Sequence, residues 1–371
     1  RFLDWAITVL TGGLIVYSVL NLGGGLPQTA VVQIWFAAAI LLFHGIQIRL
    51  LPPNRRRIQP AGLLFVPLFV YLGLHVAFFS PVPWWAEEKL LNFLQAGILY
   101  WVAIHNIRTR GQIGVLISML AAVALVCLAA GAYQLFRDPS WLPLGRVQIE
   151  QNAGRATGTF GAPNNFAALM GMFLVLFLYT AAVRRHSLPV RILCGYLSVL
   201  YFVGILFSGS RGSWIAFAAV LVVLPFFVFR DRVARIAGTA GIIVAMAVTG
   251  WLLYAFVDLI STRVDRAIVD RGETSRKFMW AAGWEIFRDN PVTGSGLASY
   301  QMLFERNRDP EFQMGPFYTH NDYLNTLSDQ GLIGFFLLFG PAAGILAISW
   351  RAWKRKPFAA ARRRKLSSVM P

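Results

Sequence analysis

Charged residues are scarce in this sequence of 371 residues. Asp, Glu, Lys and Arg make up 14% of it, whereas ordinary soluble domains contain about 25%. Hydrophobic residues make up 57%, above the usual share of roughly 45–50%. A soluble protein needs more charged residues than this on its surface. The composition therefore excludes an ordinary soluble domain and indicates an integral membrane protein.

Cysteines and the common catalytic motifs are scarce or missing. The two cysteines, Cys127 and Cys194, lie in apolar runs, so no disulfide framework is readable and the redox compartment is not constrained. The sequence has no Asp-x-Asp, no His/Asp cluster with metal-ligand spacing, no Walker A motif and no G-x-S-x-G. These absences argue against a metal-dependent sugar-nucleotide enzyme and against an ATP-driven pump. We predict neither a metal nor a cofactor.

Acidic residues are missing from every long apolar run, although proton-coupled transporters usually need them there. Ten runs reach or approach the roughly 20 residues that cross a bilayer. They predict spans at 5–22, 30–48, 61–79, 90–107, 112–136, 164–183, 190–208, 213–229, 236–257 and 331–350. The fourth is the weakest, because it contains Asn92 and Gln95. We predict an all-α, polytopic integral membrane protein with about ten or more transmembrane helices.

Basic residues alternate with the predicted spans. Of the 34 Lys and Arg, 21 lie at the N-terminus or after the even-numbered spans, together with only two acidic residues, Asp4 and Asp231. Cytoplasmic loops collect Lys and Arg, so this pattern predicts a cytoplasmic N-terminus. The same pattern explains the net charge of +17 by membrane topology and by contact with anionic lipids, and not by binding to nucleic acid.

One segment on the opposite side is far longer than an ordinary loop. It divides the chain into transmembrane helices at 1–257, a periplasmic or external segment at 258–330, and a last helix with a basic tail at 331–371. The segment is too aromatic for disorder and is predicted to fold against the membrane surface. Its aromatic residues include Trp280, Trp284, Phe287, Tyr300, Phe304, Phe312 and Tyr318.

Local signals predict two helices in this segment. Ser275 is a suitable N-cap and Asn290-Pro291 is a stop, so an amphipathic helix is predicted at 276–289. Its apolar face contains Phe278, Met279, Ala282, Ile286 and Phe287. A glycine-rich turn, "VTGSGLASY", follows. A second helix is predicted to begin near Asn321 and to be separated from the last span by Asp329-Gln330-Gly331.

Two cationic positions on the external side are candidates for binding an anion. Arg211 occupies a very short loop in "SGSRGSW", where small residues leave backbone amides open to a phosphate. The structural alternative is an interfacial Arg that extends its charge to water. Arg276 and Lys277 lie in the first turn of the predicted helix, where cations are disfavoured unless an anion binds between them. The alternative there is a pair of solvated charges.

His320, in "THNDY", is the one histidine outside the predicted spans and cytoplasmic loops. Its imidazole can exchange a proton near neutral pH, and it faces the same compartment as Arg211 and Arg276. A single histidine is often structural, but here a catalytic role is favoured. Asp322 is not assumed to be its partner, because residues two apart on a helix point in different directions.

Two arginines and a histidine suit a substrate that carries a lipid pyrophosphate. Arginine binds such oxygens in bidentate fashion and stabilises their growing charge as the group departs. The histidine takes the proton from an attacking hydroxyl. This chemistry predicts that Arg211, Arg276 and His320 converge in one outward-facing pocket at the depth of the lipid headgroups.

Four blocks in order, "TGTFGAPNNFAALMGMFL", "SGSRGSWIAF", "SRKFMWAAGWEIFRDNPVTGSGLASY" and "HNDYLNTLSDQGLIG", resemble the bacterial O-antigen ligase family. That family includes polysaccharide polymerases and protein O-oligosaccharyltransferases. The resemblance implies a multi-span fold of glycosyltransferase type C character. It implies an undecaprenyl-pyrophosphate-linked glycan as donor and lipid A–core oligosaccharide as acceptor. It also implies action at the periplasmic face of the bacterial inner membrane.

Matching positions imply pyrophosphate binding by Arg211 and Arg276 and acceptor activation by His320. Arg155 and Lys277 are hypothesised to line the substrate path from the same side. Asn164 and Asn165 are more simply interpreted as loop residues and a helix cap. Many relatives have Glu-x-Gly where this chain has Asp329-Gln330-Gly331, so the acid is present here in a shorter form.

Three alternatives to a ligase stay open. A polymerase of the same superfamily uses a second lipid-linked glycan as acceptor, and a protein O-oligosaccharyltransferase uses a protein. A transporter or flippase would use the long segment as a gate. Ionisable groups at mid-membrane depth would favour transport, but here they cluster at the loops.

Overall fold

The computed structural model describes residues 2–52, 58–183, 186–229, 231–256, 261, 274–313 and 315–367. These residues form twelve α-helices and one short antiparallel strand pair, Trp141–Leu142 with Arg146–Val147. The helices are α1 Phe2–Leu20, α2 Pro27–Leu50, α3 Val66–Leu74, α4 Pro83–Asn106, α5 Arg110–Phe136, α6 Pro163–Ala182, α7 Leu188–Phe207, α8 Arg211–Val228, α9 Arg232–Phe256, α10 Thr274–Asp289, α11 Tyr300–Asn307 and α12 Asp322–Ser367. A 3-10 turn, Pro60–Phe65, leads into α3, and a π-helical turn, His75–Phe79, ends it.

The described residues hold nine helices long and apolar enough to cross a membrane. Nine of the ten predicted spans coincide with them, which confirms an all-α, polytopic membrane fold. The exception is the fourth, predicted at 90–107. It lies in α4, which is helical but is not among the nine. The charged start of this helix, Glu87, Glu88 and Lys89, together with Asn92 and Gln95, lowers its hydropathy.

The chain separates into two compact units. The first contains Arg1–Pro53 and Asn106–Gly272, and the second contains Asn54–His105 and Glu273–Pro371. The second unit therefore joins α3 and α4 to the long segment and α12. The division at 1–257, 258–330 and 331–371 concerns the membrane topology of the sequence, and it stays a prediction.

Small residues bring the helices of the first unit close together. A Cβ on Gly204 of α7 would lie 2.9 Å from Met170 of α6 and 3.0 Å from Leu128 of α5. Such approaches matter in lipid, where helices associate by van der Waals packing rather than by escape from water. The buried Tyr201 hydroxyl donates to the Ala121 carbonyl oxygen of α5 at 2.8 Å. The core of this unit therefore rests on α5, α6 and α7.

Polar contacts in the first unit join helix ends that the sequence places on one side. The Gln112 amide donates to Thr8 Oγ1 at 3.0 Å, and the Asn106 amide contacts His44 Nδ1 at 2.9 Å. At the opposite ends, Thr159 Oγ1 donates to the Val19 carbonyl oxygen at 2.5 Å. The contacts agree with alternating spans, while the cytoplasmic position of the N-terminus stays a prediction.

The amphipathic helix predicted at 276–289 is confirmed as α10. It begins two residues earlier, at Thr274, so Ser275 lies inside the first turn and its assignment as the N-cap is wrong. The predicted apolar face is buried at Met279, Ala282 and Ile286. These side chains pack on Tyr300 and Phe304 of α11, a helix that was not predicted, and on Phe312, which follows it.

Two glycines let the turn after α10 touch the start of the last span. Gly331 has φ +63° and interrupts α12, as predicted for the boundary between the second external helix and the span. A Cβ on Gly294 would lie 2.4 Å from the Gly331 backbone nitrogen, and a Cβ on Gly331 would lie 2.4 Å from the Gly294 nitrogen. The turn also donates to the α12 backbone, from the Ser295 and Gly296 N–H groups. This contact fixes α12 against the segment that carries α10 and α11.

Candidate active site

The loop that carries His320 packs against one face of α10. The Trp280 indole N–H donates to the Thr319 carbonyl oxygen at 3.0 Å. A Cβ on Gly283 would lie 2.9 Å from Thr319 Cγ2, so only glycine admits the loop this closely. The Thr319–His320 peptide is therefore held directly on the helix that begins near Arg276.

His320 is exposed, and its backbone has φ +52°, in the left-handed region. A residue with a side chain held there costs roughly 1–3 kcal/mol, and such strain clusters at functional sites. Thr319, which is buried, holds the chain on one side of it: its hydroxyl donates to the Asn321 carbonyl oxygen at 2.7 Å and accepts from the Asn321 N–H at 3.1 Å. The surrounding structure thus imposes this conformation on an imidazole that is open to solvent.

Asn325 and Asp329 connect the histidine loop to the interior of the second unit. The Thr319 N–H donates to Asn325 Oδ1 at 3.0 Å, and the Asn325 amide donates to Asp329 Oδ2 at 2.9 Å. The other carboxylate oxygen, Oδ1, accepts from the Tyr300 N–H at 2.9 Å and from the Ser299 hydroxyl at 3.1 Å. Asp329 is buried, so a single acid ties α11, α12 and the His320 loop together.

Tyr300 strengthens the same junction from α11. Burial and the charge of Asp329 both raise the pKa of the Tyr300 phenol, so it stays protonated across the physiological range. Its hydroxyl donates to the Met279 carbonyl oxygen of α10 at 3.0 Å. The sequence alone indicated Asp329 only as an aspartate where many relatives have a glutamate. The i, i+4 spacing of Asn325 and Asp329 was the available signal, because it places both on one helix face.

Arg276 lies in the first turn of α10, one helical turn before Trp280. Residues four apart share a helix face, so Arg276 and the Thr319–His320 peptide lie on the same side of this helix. Arg276 is partly exposed and Lys277 is exposed. The second unit therefore places the predicted base on the same side of α10 as one predicted pyrophosphate-binding cation.

Arg155 contacts the turn between α7 and α8 in the first unit, and Arg211 follows that turn in sequence. The Arg155 Nε–H donates to the Ser208 carbonyl oxygen at 2.9 Å, just after the last residue of α7. Arg211 is the first residue of α8, and the Ser210 side chain makes no capping bond to the backbone of that helix. No described atom lies within 4 Å of the place where Gly212 would carry a Cβ. There is therefore room beside the first turn of α8, where helix N–H groups have no partner within the helix.

Asn164 supports this turn, but not as a helix cap. The N-cap of α6 is Ala162 and Pro163 follows it, so the interpretation of Asn164 or Asn165 as a cap is wrong. Proline suits this first helical position because it lacks the N–H that would stay unbonded there. Asn164 Oδ1 instead accepts from the Ser210 hydroxyl at 2.8 Å. Arg211 and His320 belong to different units, so the expectation that they lie close together stays a prediction.

Replacing Asn325 by alanine is expected to lower kcat about ten- to hundredfold and to leave the donor KM unchanged, because misplacement of a catalytic group slows the chemical step. The change removes the acceptor of the Thr319 N–H. Steady-state transfer by purified protein checks this. Asn307→Ala is the matched control, since among the described residues its side-chain amide donates to Leu303 of the same helix. If kcat per folded molecule equals that of the control, Asn325 does not position His320.

Within the described ranges, no three His, Cys, Asp or Glu side chains lie together as metal ligands. The predicted site residues are instead arginines at two helix starts and a histidine on a strained loop, residue types that suit anion binding and proton transfer.

This helical architecture defines a multi-pass membrane protein. Residues 196–339 match the model of the protein family Wzy_C, described as O-antigen ligase. Over this segment the chain is similar to the O-antigen ligase family. Arg211, Arg276 and His320 all lie inside the matched segment. A comparison with curated proteins gave no match.

Proposed function

We propose that the protein is an O-antigen ligase. It moves a polysaccharide from undecaprenyl pyrophosphate to lipid A–core oligosaccharide at the periplasmic face of the inner membrane. The observation that carries this proposal is the exposed, left-handed His320, held on the helix of Arg276 within the segment that is similar to the O-antigen ligase family. A solvent-accessible base on a strained loop, held against a helix that carries a cation, suits the transfer of a glycan to an acceptor hydroxyl.

In the proposed reaction the guanidinium groups of Arg211 and Arg276 bind the pyrophosphate of the donor. His320 accepts the proton of an acceptor hydroxyl, and the hydroxyl oxygen forms a bond to the anomeric carbon. The bond from that carbon to the pyrophosphate oxygen breaks, and undecaprenyl pyrophosphate leaves with its electron pair. Direct displacement inverts the anomeric centre. The arginines stabilise the charge that grows on the leaving oxygens.

The membrane fold also supports this function. A polyprenyl tail stays in lipid while its headgroup reacts at the interface, so the reacting groups belong at helix ends rather than at mid-membrane. Arg211 begins α8, Arg276 lies in the first turn of α10, and His320 lies two residues before α12. Arg155 and Lys277 are assigned to the path of the glycan toward these groups.

Reconstituted protein is expected to form glycan-bearing lipid A–core from purified donor and acceptor without nucleotide and in the presence of a chelator. Product is measured by gel mobility and mass spectrometry. Longer glycan on the lipid carrier alone would indicate a polymerase, and glycan on an added periplasmic protein would indicate a protein transferase. Movement of donor across the bilayer without a new glycosidic bond would refute the enzyme and favour transport.

A further inference from the structure

The second unit contains a cavity of about 250 Å³ that the proposed reaction has not used. It lies between α4, α11 and the loop just before His320. Its volume is near the lower end of the roughly 300–1,000 Å³ typical of small-molecule sites, which suits a ligand the size of one ring. Its lining consists of Trp85, Glu88, Lys89, Asn92, Ala298, Tyr300, Gln301, Phe317, Tyr318 and Asp329.

Aromatic faces form the apolar part of this cavity. Phe317 and Tyr318 are 65% and 53% exposed, so both rings are accessible to a ligand in the cavity. Lys89 Nζ lies 5.0 Å from the centroid of the Tyr318 ring, a cation–π contact that fixes the orientation of the ring. Trp85 adds a third aromatic side chain. The negative face of an aromatic ring attracts the slightly positive C–H groups of an apolar surface.

Polar side chains stand beside these rings. Within the described part of the chain, the side chains of Glu88, Asn92 and Gln301 make no hydrogen bond to the protein. A carboxylate accepts hydrogen bonds, while each amide both donates and accepts. A sugar ring matches this arrangement, because it has C–H groups on its face and hydroxyl groups around its edge.

The charge of the cavity selects against an anion. Glu88 and Asp329 are acidic, and Lys89 is the one basic residue among the lining side chains. Pyrophosphate would meet the Glu88 carboxylate there, whereas an uncharged sugar would meet hydrogen-bonding groups without repulsion. The cavity therefore differs in chemistry from the arginine sites at Arg211 and Arg276.

The position of the cavity connects it to the predicted base. Tyr318 lies two residues before His320, and Asp329 is also the acid that holds the His320 loop through Asn325. We infer that this cavity is a subsite for a neutral sugar ring of one of the two glycan substrates. The inference rests on the proposed function, because it takes the ring to be part of the acceptor or of the donor glycan.

Phe317→Ala and Gln301→Ala are expected to raise the KM for one glycan substrate about three- to tenfold, as loss of one stacking or hydrogen-bonding contact does. Trp284→Ala and Gln313→Ala are the matched controls, since both are exposed in the same unit and do not line the cavity. A higher KM for lipid A–core assigns the ring to the acceptor, and a higher KM for the lipid-linked donor assigns it to the donor. Unchanged KM values for both substrates would overturn the subsite.

Binding without turnover separates this inference from the proposed reaction. The probes are core oligosaccharide released from lipid A and oligosaccharide released from the lipid carrier. Saturation-transfer NMR with the full chain is expected to show contact with one of them, and Phe317→Ala is expected to reduce it. If wild type transfers no glycan but this binding is seen, only the proposed reaction fails. Binding that neither cavity variant reduces would overturn the subsite even if transfer occurs.

Discussion

His320→Ala is expected to lower the rate of glycan transfer by about 10²–10⁴-fold, which is the usual contribution of a general base. The acceptor hydroxyl would then attack with its proton still in place. The imidazole is exposed, while the loop is held by hydrogen bonds between Thr319 and Asn321, so its removal should leave the fold of the second unit intact. Single-turnover transfer with saturating donor and acceptor measures the effect on the chemical step.

The backbone of His320 defines the control for this experiment. Asparagine adopts the left-handed conformation more readily than most residues, so His320→Asn preserves the loop geometry while removing the base. Both variants are expected to insert and to keep the thermal stability of wild type. If His320→Asn transfers glycan normally, the conformation of residue 320 matters and its imidazole does not, and the catalytic assignment is wrong.

Local patterns predict the helices well, because each depends on residues near in sequence. Apolar runs located nine membrane-crossing helices, and the Asn290-Pro291 stop located the end of α10 within one residue. The helix near Asn321 and its break at Gly331 were also predicted. The start of α10 was misplaced by two residues, since a serine near a helix start is compatible with several registers.

Non-local contacts explain what the sequence does not reveal. Helix α11 has eight residues, too few to be stable from local propensity. It is stabilised by burial of Phe304 against α10 and by Asp329, which accepts the Tyr300 N–H from 29 positions away. The left-handed backbone of His320 likewise depends on Asn325 and Thr319. A pattern search sees the histidine but not the contacts that orient it.

In the candidate site, too, the residues themselves could be predicted from the sequence and their neighbours could not. Residue types and exposure pointed to Arg211, Arg276 and His320, and the fold places each at a helix start or on the loop before one. The neighbours that shape them, such as Ser208 for Arg155 and Trp280 for the histidine loop, come from distant segments. These neighbours can be identified only from the structure, because hydrogen-bond partners far apart in sequence leave no periodic signal.

Arg276→Ala and Arg211→Ala are each expected to raise the KM for the lipid-linked donor about 10- to 100-fold, because a hydrogen bond to a charged group contributes roughly 1.5–3 kcal/mol. Arg→Lys at either position should restore only part of the affinity, since lysine keeps the charge but lacks the planar fork that binds two oxygens. Transfer measured against donor concentration, at saturating acceptor, checks both expectations.

Arg288 provides the matched control on the same helix as Arg276. It pairs with Glu285 at 3.4 Å on the exposed surface, and such a pair contributes little to stability. Arg288→Ala should therefore leave the donor KM unchanged. A rise in the acceptor KM with no change in the donor KM for Arg276→Ala would assign that guanidinium to the acceptor and contradict its proposed role.

The double variant Arg211→Ala/Arg276→Ala tests whether the two arginines bind one pyrophosphate, as the proposed reaction requires. Groups that share a ligand interact energetically, so the combined loss of donor affinity should differ from the sum of the single losses in free energy. Strict additivity, with each single variant still impaired, would mean that the two guanidinium groups act on separate parts of the donor. Arg211, which belongs to the first unit, would then have to be reassigned to the glycan or lipid portion, while His320 and Arg276 would still define the reacting end.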